Sequence, residues 1–304
     1  MAALDTALAL AEDQDVAVMV GQHLKFDVPG RTKELLNVDV WTIKRRAGFL
    51  LRLRQHRRQL GGAVDDAHAA PATLLIVAYA FVPTICIFFQ GMDAGASSWL
   101  DLIVILLLWL PIELNAGARW IPRPAQGLLH TVAYGVALTL ALVFFLAFRG
   151  MKGMKYNLPA RVMDFIRPLI AFVLVAPILI ALGRALSFIP PFHAPGNLSA
   201  IHIAKSFGLI FVATALPEEI LFRSLIQNWL MQKFGSTTAV LILASVIFGC
   251  AHLNNGPQPL PNWRYMILAT IAGYAYGRVF QRASSVAASM ILHALVDVTK
   301  HVFF

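Results

Sequence analysis

Eight long apolar runs constrain this sequence more than any other feature. They fall at about 72–90, 99–116, 127–148, 165–187, 200–216 continuing into 218–232, 237–252, 264–280 and 285–303. Most approach the roughly 20 residues that a membrane-spanning helix needs. The composition agrees: 58% of residues are hydrophobic and 13% charged, the latter about half the roughly 25% usual in soluble domains. The fold class expected is all-α, a polytopic transmembrane bundle of about eight apolar helices.

The net charge of +9 does not make the chain a nucleic-acid binder. Its basic residues bunch in short segments between apolar runs, as cytoplasmic loops and interface anchors do, with no basic patch interleaved with aromatics. Cys86 and Cys250 both lie in apolar runs and make no disulfide framework. The opening MAALDTALALAEDQD has acids and no Lys or Arg, so it is not a signal peptide.

Residues 1–70 form the one long polar stretch. Within it, WTIKRRAGFLLRLRQHRR reads as a basic interfacial helix on an anionic leaflet, or as a solvated helix or tail. GGAVDDAHAAP is a short linker. The expected organisation is therefore 1–70, cytoplasmic or membrane-surface, and 71–304, transmembrane. Lys and Arg place Arg149 to Arg167, Lys233 and the Arg278/Arg282 turn on the cytoplasmic side. The loops near His193 and NNGPQPLPN then lie opposite. The basic N-terminal region also argues for the cytoplasm, yet three runs separate it from Arg149. One of them is expected not to cross. The weakest is 99–116, whose core LIVILLLWLPI lies between Asp101 and Glu113; it reads as re-entrant or tilted.

Ionisable residues inside such runs are costly, by roughly 2.5–3.5 kcal/mol each on insertion scales, and mark functional sites by default. Three places stand out. In ALPEEILFRSLI, Pro217 kinks a helix or starts a new one, placing Glu218 and Glu219 near a first turn where the dipole favours negative charge. Successive helical residues point about 100° apart. Glu219 and Arg223 are i,i+4 with the acid first, a structural pair, which leaves Glu218 to face a cavity. In VIFGCAHL, Phe248 and His252 are one turn apart, while Cys250 faces elsewhere. In ASMILHALVDVTK, His293 and Asp297 share a helical face, where a carboxylate can orient an imidazole. Read singly, these are an amphipathic helix, a core histidine and a helix-stabilising pair. Together they suit water activation by a glutamate with histidines at the oxyanion, or a divalent metal held by His and carboxylate ligands. Gly273 and Gly277 in AGYAYG make a small-xxx-small face for close helix packing. Arg167 and Arg184 read as snorkelling anchors.

Glu218-Glu219-x-x-x-Arg223 with Phe222, Phe248-x-x-x-His252 and His293-x-x-x-Asp297 occur in this order. They resemble the three motifs of the CPBP family, the CAAX proteases and bacteriocin-processing enzymes. The match spans about 165–304. The resemblance implies a glutamate-dependent intramembrane endopeptidase whose bundle encloses a water-filled active-site cavity. It implies Glu218 as general base, assisted by His252. His293 with Asp297 would form the oxyanion site, with Glu219, Arg223 and Phe248 in support. The Ras-converting members remove three residues after a prenylated cysteine, through a cavity open to the cytoplasm; that fits the side assigned to Lys233 and Arg278/Arg282. Those members have Asn where this chain has Asp297. An ionised carboxylate cannot donate to an oxyanion, so Asp297 orients His293, stays protonated, or enlarges the set of metal ligands.

The expected partners are a peptide or lipidated protein substrate in the membrane and membrane lipids, with no nucleic acid. The expected location is a bacterial inner membrane. No cofactor is expected. The alternatives are a zinc-dependent protease using Glu218, His252, His293 and Asp297, a non-catalytic scaffold or immunity protein of the same fold, and a proton or small-ion carrier.

Overall fold

A computed structural model describes residues 66–90, 97–117, 121, 128–193, 199–256 and 259–304. The basic stretch around 41–58, with most of the 1–70 region, lies outside the described residues.

The helices follow the apolar runs closely. They are α1 (Asp66–Gln90), α2 (Trp99–Glu113), α3 (Leu128–Ala141, continued as a π-helical Leu142–Phe148), α4 (Met163–Ala185), α5 (Ala200–Phe234), α6 (Thr238–Cys250), α7 (Trp263–Arg282) and α8 (Ala287–Phe303). The described residues contain no strand. Three helices, within α1, α4 and α5, are long and apolar enough to cross a membrane. Their outward faces are apolar: Phe88 and Phe89 on α1, Val173 and Leu174 on α4, and Leu209 and Val212 on α5 are exposed. A helix whose apolar face points outward needs lipid around it.

The end of the bundle near Lys155 is the more polar. Lys155 donates from Nζ to the carbonyls of Phe280 (2.6 Å), Gln281 (3.2 Å) and Ala283 (2.9 Å), which caps the C-terminus of α7. Burial pushes the Lys155 ammonium below its ordinary pKa, and the Asp164 carboxylate pulls the other way. Asp164 is buried and accepts from the backbone and hydroxyl of Ser284. Buried Arg149 reaches Asp101 at 3.2 Å, joining the end of α3 to the start of α2. Arg167 donates to the Arg282 carbonyl and Arg184 to the Ile189 carbonyl, so both fasten loops instead of only snorkelling.

The 99–116 run forms one continuous helix, Trp99–Glu113. Ser98 caps α2 beside Trp229, and Arg149 at the far end of α3 meets Asp101. Glu113, at the other end of α2, accepts from Tyr134 near the start of α3. So α2 runs antiparallel to α3, at 15 residues a short helix of about 22 Å. Pro217 does not start a new helix, since one helix runs through it from Ala200 to Phe234. Its missing N–H and bulky ring are absorbed by π-helical turns at Phe211–Ala215 and Ile220–Gln227, on either side of Leu216–Glu219. Glu218 and Glu219 therefore sit mid-helix, 18 and 19 residues from Ala200, where the dipole at a helix start has no effect.

α6 and α7 approach closely because glycines line the contact. A methyl group at Gly273 would stand 2.8 Å from the Phe248 ring, and one at Gly277 2.6 Å from Leu241. At Gly249 a methyl would meet Thr270 Oγ1 and lie 2.6 Å from the Met266 carbonyl oxygen. We expect Gly249→Ala to lower stability by about 1–3 kcal/mol through overpacking. Thermal unfolding of the detergent-solubilised protein measures it. Gly135→Ala, with nothing within 4 Å of the added methyl, is the control and should be neutral or slightly stabilising. Equal transitions for the two variants would contradict this account of the packing.

Candidate active site

The site lies where α5, α6, α7 and α8 meet. Arg223 and Glu219 form its buried base. Arg223 Nε donates to Glu219 Oε2 at 3.0 Å, both side chains fully buried, as the i,i+4 spacing predicts. A bare guanidinium here would cost several kcal/mol, and the site answers it on two sides. Glu219 supplies the counter-charge, and the Phe248 ring lies 4.7 Å from the guanidinium carbon, with Tyr276 at 5.8 Å. Phe248 is itself held edge-on by Phe222 at 4.9 Å, and Phe222 by Trp109 at 5.2 Å. That aromatic series ties α2 and α5 to α6, each pair worth about 0.5–1.5 kcal/mol beyond burial.

Glu219 has a second role that sequence spacing does not reveal. Its Oε1 accepts from His293 Nδ1 at 3.0 Å, across 74 residues. The Tyr276 ring stacks on the other side of His293, with centroids 4.7 Å apart and planes 20° from parallel. His293 Nε2 then faces two further carboxylates, Asp297 Oδ2 at 3.4 Å and Glu218 Oε2 at 3.9 Å.

His252 is fixed by its own helix. Its Nδ1 lies 2.8 Å from the Phe248 carbonyl. A carbonyl can only accept, so Nδ1 carries the hydrogen, and the neutral ring presents the Nε2 lone pair. Nε2 stands 3.9 Å from Glu218 Oε2. Tyr265 packs edge-on against this imidazole at 4.5 Å. Glu218 points away from Arg223, and its Oε2 makes no hydrogen bond to the protein. One carboxylate oxygen and two imidazole Nε2 atoms thus converge from three helices.

All seven residues singled out in the sequence (Glu218, Glu219, Arg223, Phe248, His252, His293 and Asp297) fall within this cluster. Cys250 is exposed and stands outside it. Sequence reasoning missed Tyr276 and Tyr265, since a tyrosine in an apolar helix resembles any interface anchor. It also missed a second polar group beside the site: Trp109 Nε1 (3.2 Å) and the Tyr134 hydroxyl (3.1 Å) both donate to Glu113 Oε2. Tyr134 shares a small apolar cavity with Pro217 and Leu221.

A larger cavity of about 90 Å³ runs from Phe248, Tyr276 and His293 past His252 and Asp297 to Phe188, Lys300 and Phe304. One ordered water needs about 10–15 Å³ by this measure, so there is room for several waters beside His252 and His293. The cavity extends toward the Phe304 end. Lys233 and Arg282 lie at the opposite end, with Lys155. α6 carries His252 away from Lys233, and α8 leads from Arg282 through His293 to Phe304.

Zinc fits this donor set poorly. Ligand atoms about 2.0–2.1 Å from a tetrahedral zinc lie roughly 3.3 Å apart, whereas Glu218 Oε2 is 3.9 Å from each Nε2. Among the described residues no three His, Cys, Asp or Glu side chains are placed to hold a metal ion.

A helical bundle with apolar outer faces and a buried carboxylate between two imidazoles defines the class of protein: an integral membrane protein with a polar centre. Residues 200–299, covering α5 to most of α8, match the family described as Rce1-like, type II CAAX prenyl endopeptidase Rce1-like. The match covers about a third of the chain, and it is a likeness of this segment to the CAAX proteases. No curated protein and no solved structure matches the chain.

Proposed function

We propose that this chain is an intramembrane endopeptidase that hydrolyses a peptide bond with water activated by Glu218 and His252. One observation carries the reading: Glu218 Oε2 stands 3.9 Å from the Nε2 atoms of both His252 and His293, with no protein hydrogen bond of its own. A water bound at that oxygen can also donate to the His252 lone pair. As the water oxygen attacks the scissile carbonyl carbon, Glu218 takes its proton. His293 Nε2–H donates to the oxyanion. Collapse of the tetrahedral intermediate breaks the C–N bond, and the proton held by Glu218 passes to the leaving amine.

The roles of the neighbours follow. Glu219 accepts from His293 Nδ1 and leaves the other nitrogen for the substrate. Asp297, 3.4 Å from that nitrogen, orients it, a task that needs no donor hydrogen. The sequence carries this as 71–304, transmembrane, with a catalytic core at about 165–304 that includes the cavity residues of α4. The family's description supports a substrate whose C-terminus follows a prenylated cysteine.

The test is incubation of the purified protein with a farnesylated peptide ending in Cys-aliphatic-aliphatic-X, with products read by mass spectrometry. A single cut after the modified cysteine is the expected result, and an intact peptide would contradict the reading. We further expect cleavage to survive exhaustive chelation with less than about a twofold change. Loss of activity restored by one divalent ion alone would replace the glutamate mechanism with a metal-dependent one.

A further inference from the structure

The cavity holds one fixed positive charge that the mechanism does not use. Among the described residues that line it, Lys300 is the single lysine or arginine. It is exposed, and its Nζ lies 4.7 Å from the centre of the Phe188 ring and 4.9 Å from that of Tyr265. Two aromatic faces hold the ammonium against the wall while leaving its hydrogens to a ligand. Asp297, one turn earlier on α8, is engaged with His293. Lys300 lies one residue beyond the segment that matches the family.

Its position along α8 is informative. Lys300 shares a helical face with Asp297 and His293, at spacings of three and seven residues. Seven residues of helix rise about 10.5 Å. Three residues of extended peptide span about 10–11 Å. A substrate whose scissile carbonyl rests at His293, running toward the Phe304 end, therefore brings its third following residue level with Lys300.

We infer that Lys300 is the specificity residue that binds the free C-terminal carboxylate of the substrate, fixing the cut three residues from the chain end. The inference rests on the endopeptidase reading above and adds the group recognised and the residue that recognises it. An ammonium between aromatic faces suits a terminal carboxylate, because a charge-assisted hydrogen bond forms where water is already partly excluded.

Two measurements separate this inference from the reading beneath it. Cleavage of the farnesylated Cys-aliphatic-aliphatic-X peptide by the wild type tests the protease reading. Equilibrium binding of the same peptide to the Glu218→Gln protein, as free acid and as C-terminal amide, tests Lys300 whether or not cleavage occurs. The free acid should bind roughly ten- to hundred-fold tighter than the amide. Lys300→Met should reduce that ratio to about one, and Lys300→Arg should keep most of it. An acid-to-amide ratio near one in the Glu218→Gln protein, or a large ratio that persists in Lys300→Met, overturns the assignment. Where the wild type cleaves, a peptide longer by one residue should still be cut three residues from its new end. Cleavage that stays at the original bond also overturns it.

Discussion

Glu218→Gln should lower peptide cleavage by about 10²–10⁴-fold while leaving the fold intact. The substitution keeps the shape of the side chain and removes its ability to take a proton from water. Structural cost is small because Glu218 Oε2 has no hydrogen bond within the protein and its side chain retains 23% exposure. The neighbouring acid provides the contrast. Glu219→Gln removes a charge that Arg223 and His293 both depend on, 3.0 Å from each, so it should impair stability and activity together. Cleavage rates and thermal transitions for the two variants separate a chemical role from a structural one. A Glu218→Gln protein that cleaves within tenfold of the wild type would remove Glu218 from the mechanism.

The contrast between these two adjacent acids also shows what a sequence can and cannot reveal here. Contacts within one helix were legible, since the 3.6-residue period fixes them. Glu219 with Arg223, His293 with Asp297, and Phe248 with the His252 side chain are all i,i+4 pairs, and all three meet. The helices too were legible, because long apolar runs have one stable backbone state in lipid. Contacts between helices were not. That Glu219 also serves His293, or that Tyr276 stacks on that ring, depends on how α5, α7 and α8 rotate against one another. The glycines of α7 hinted at close packing but not at its partners, which are Phe248 and Gln227. At Pro217 the steric demand is met by widened turns on either side, and a sequence does not distinguish these from a new helix start. Loop charges report which side of a membrane a loop prefers, and they carry nothing about which end of the bundle is hollow.

Arg223→Met should destabilise the protein by about 3–5 kcal/mol, the largest stability effect expected of any single residue in the site. Its guanidinium is fully buried, pairs with Glu219 at 3.0 Å and lies 4.7 Å over Phe248. Methionine fills much of the same volume, so the loss should come from electrostatics more than from packing. Glu219 would be left as a buried carboxylate held by His293 Nδ1 and the Ser289 hydroxyl, with no full counter-charge from Arg223, and His293 would be drawn toward it. Activity should fall with stability, because the Nε2 that faces Glu218 is positioned through that ring. The double variant Glu219→Gln/Arg223→Met removes both charges and should regain more than half of the lost stability, as replacement of whole buried ion pairs often does. It should not regain activity, since the neutral amide oxygen left at position 219 is a weaker acceptor than the carboxylate that orients His293. Chemical denaturation in detergent, analysed as a double-mutant cycle, gives the coupling energy directly. A coupling below about 1 kcal/mol would mean that Arg223 is held by its aromatic neighbours and not by Glu219. The pair would then be an accident of spacing, and the orientation of His293 would need another source.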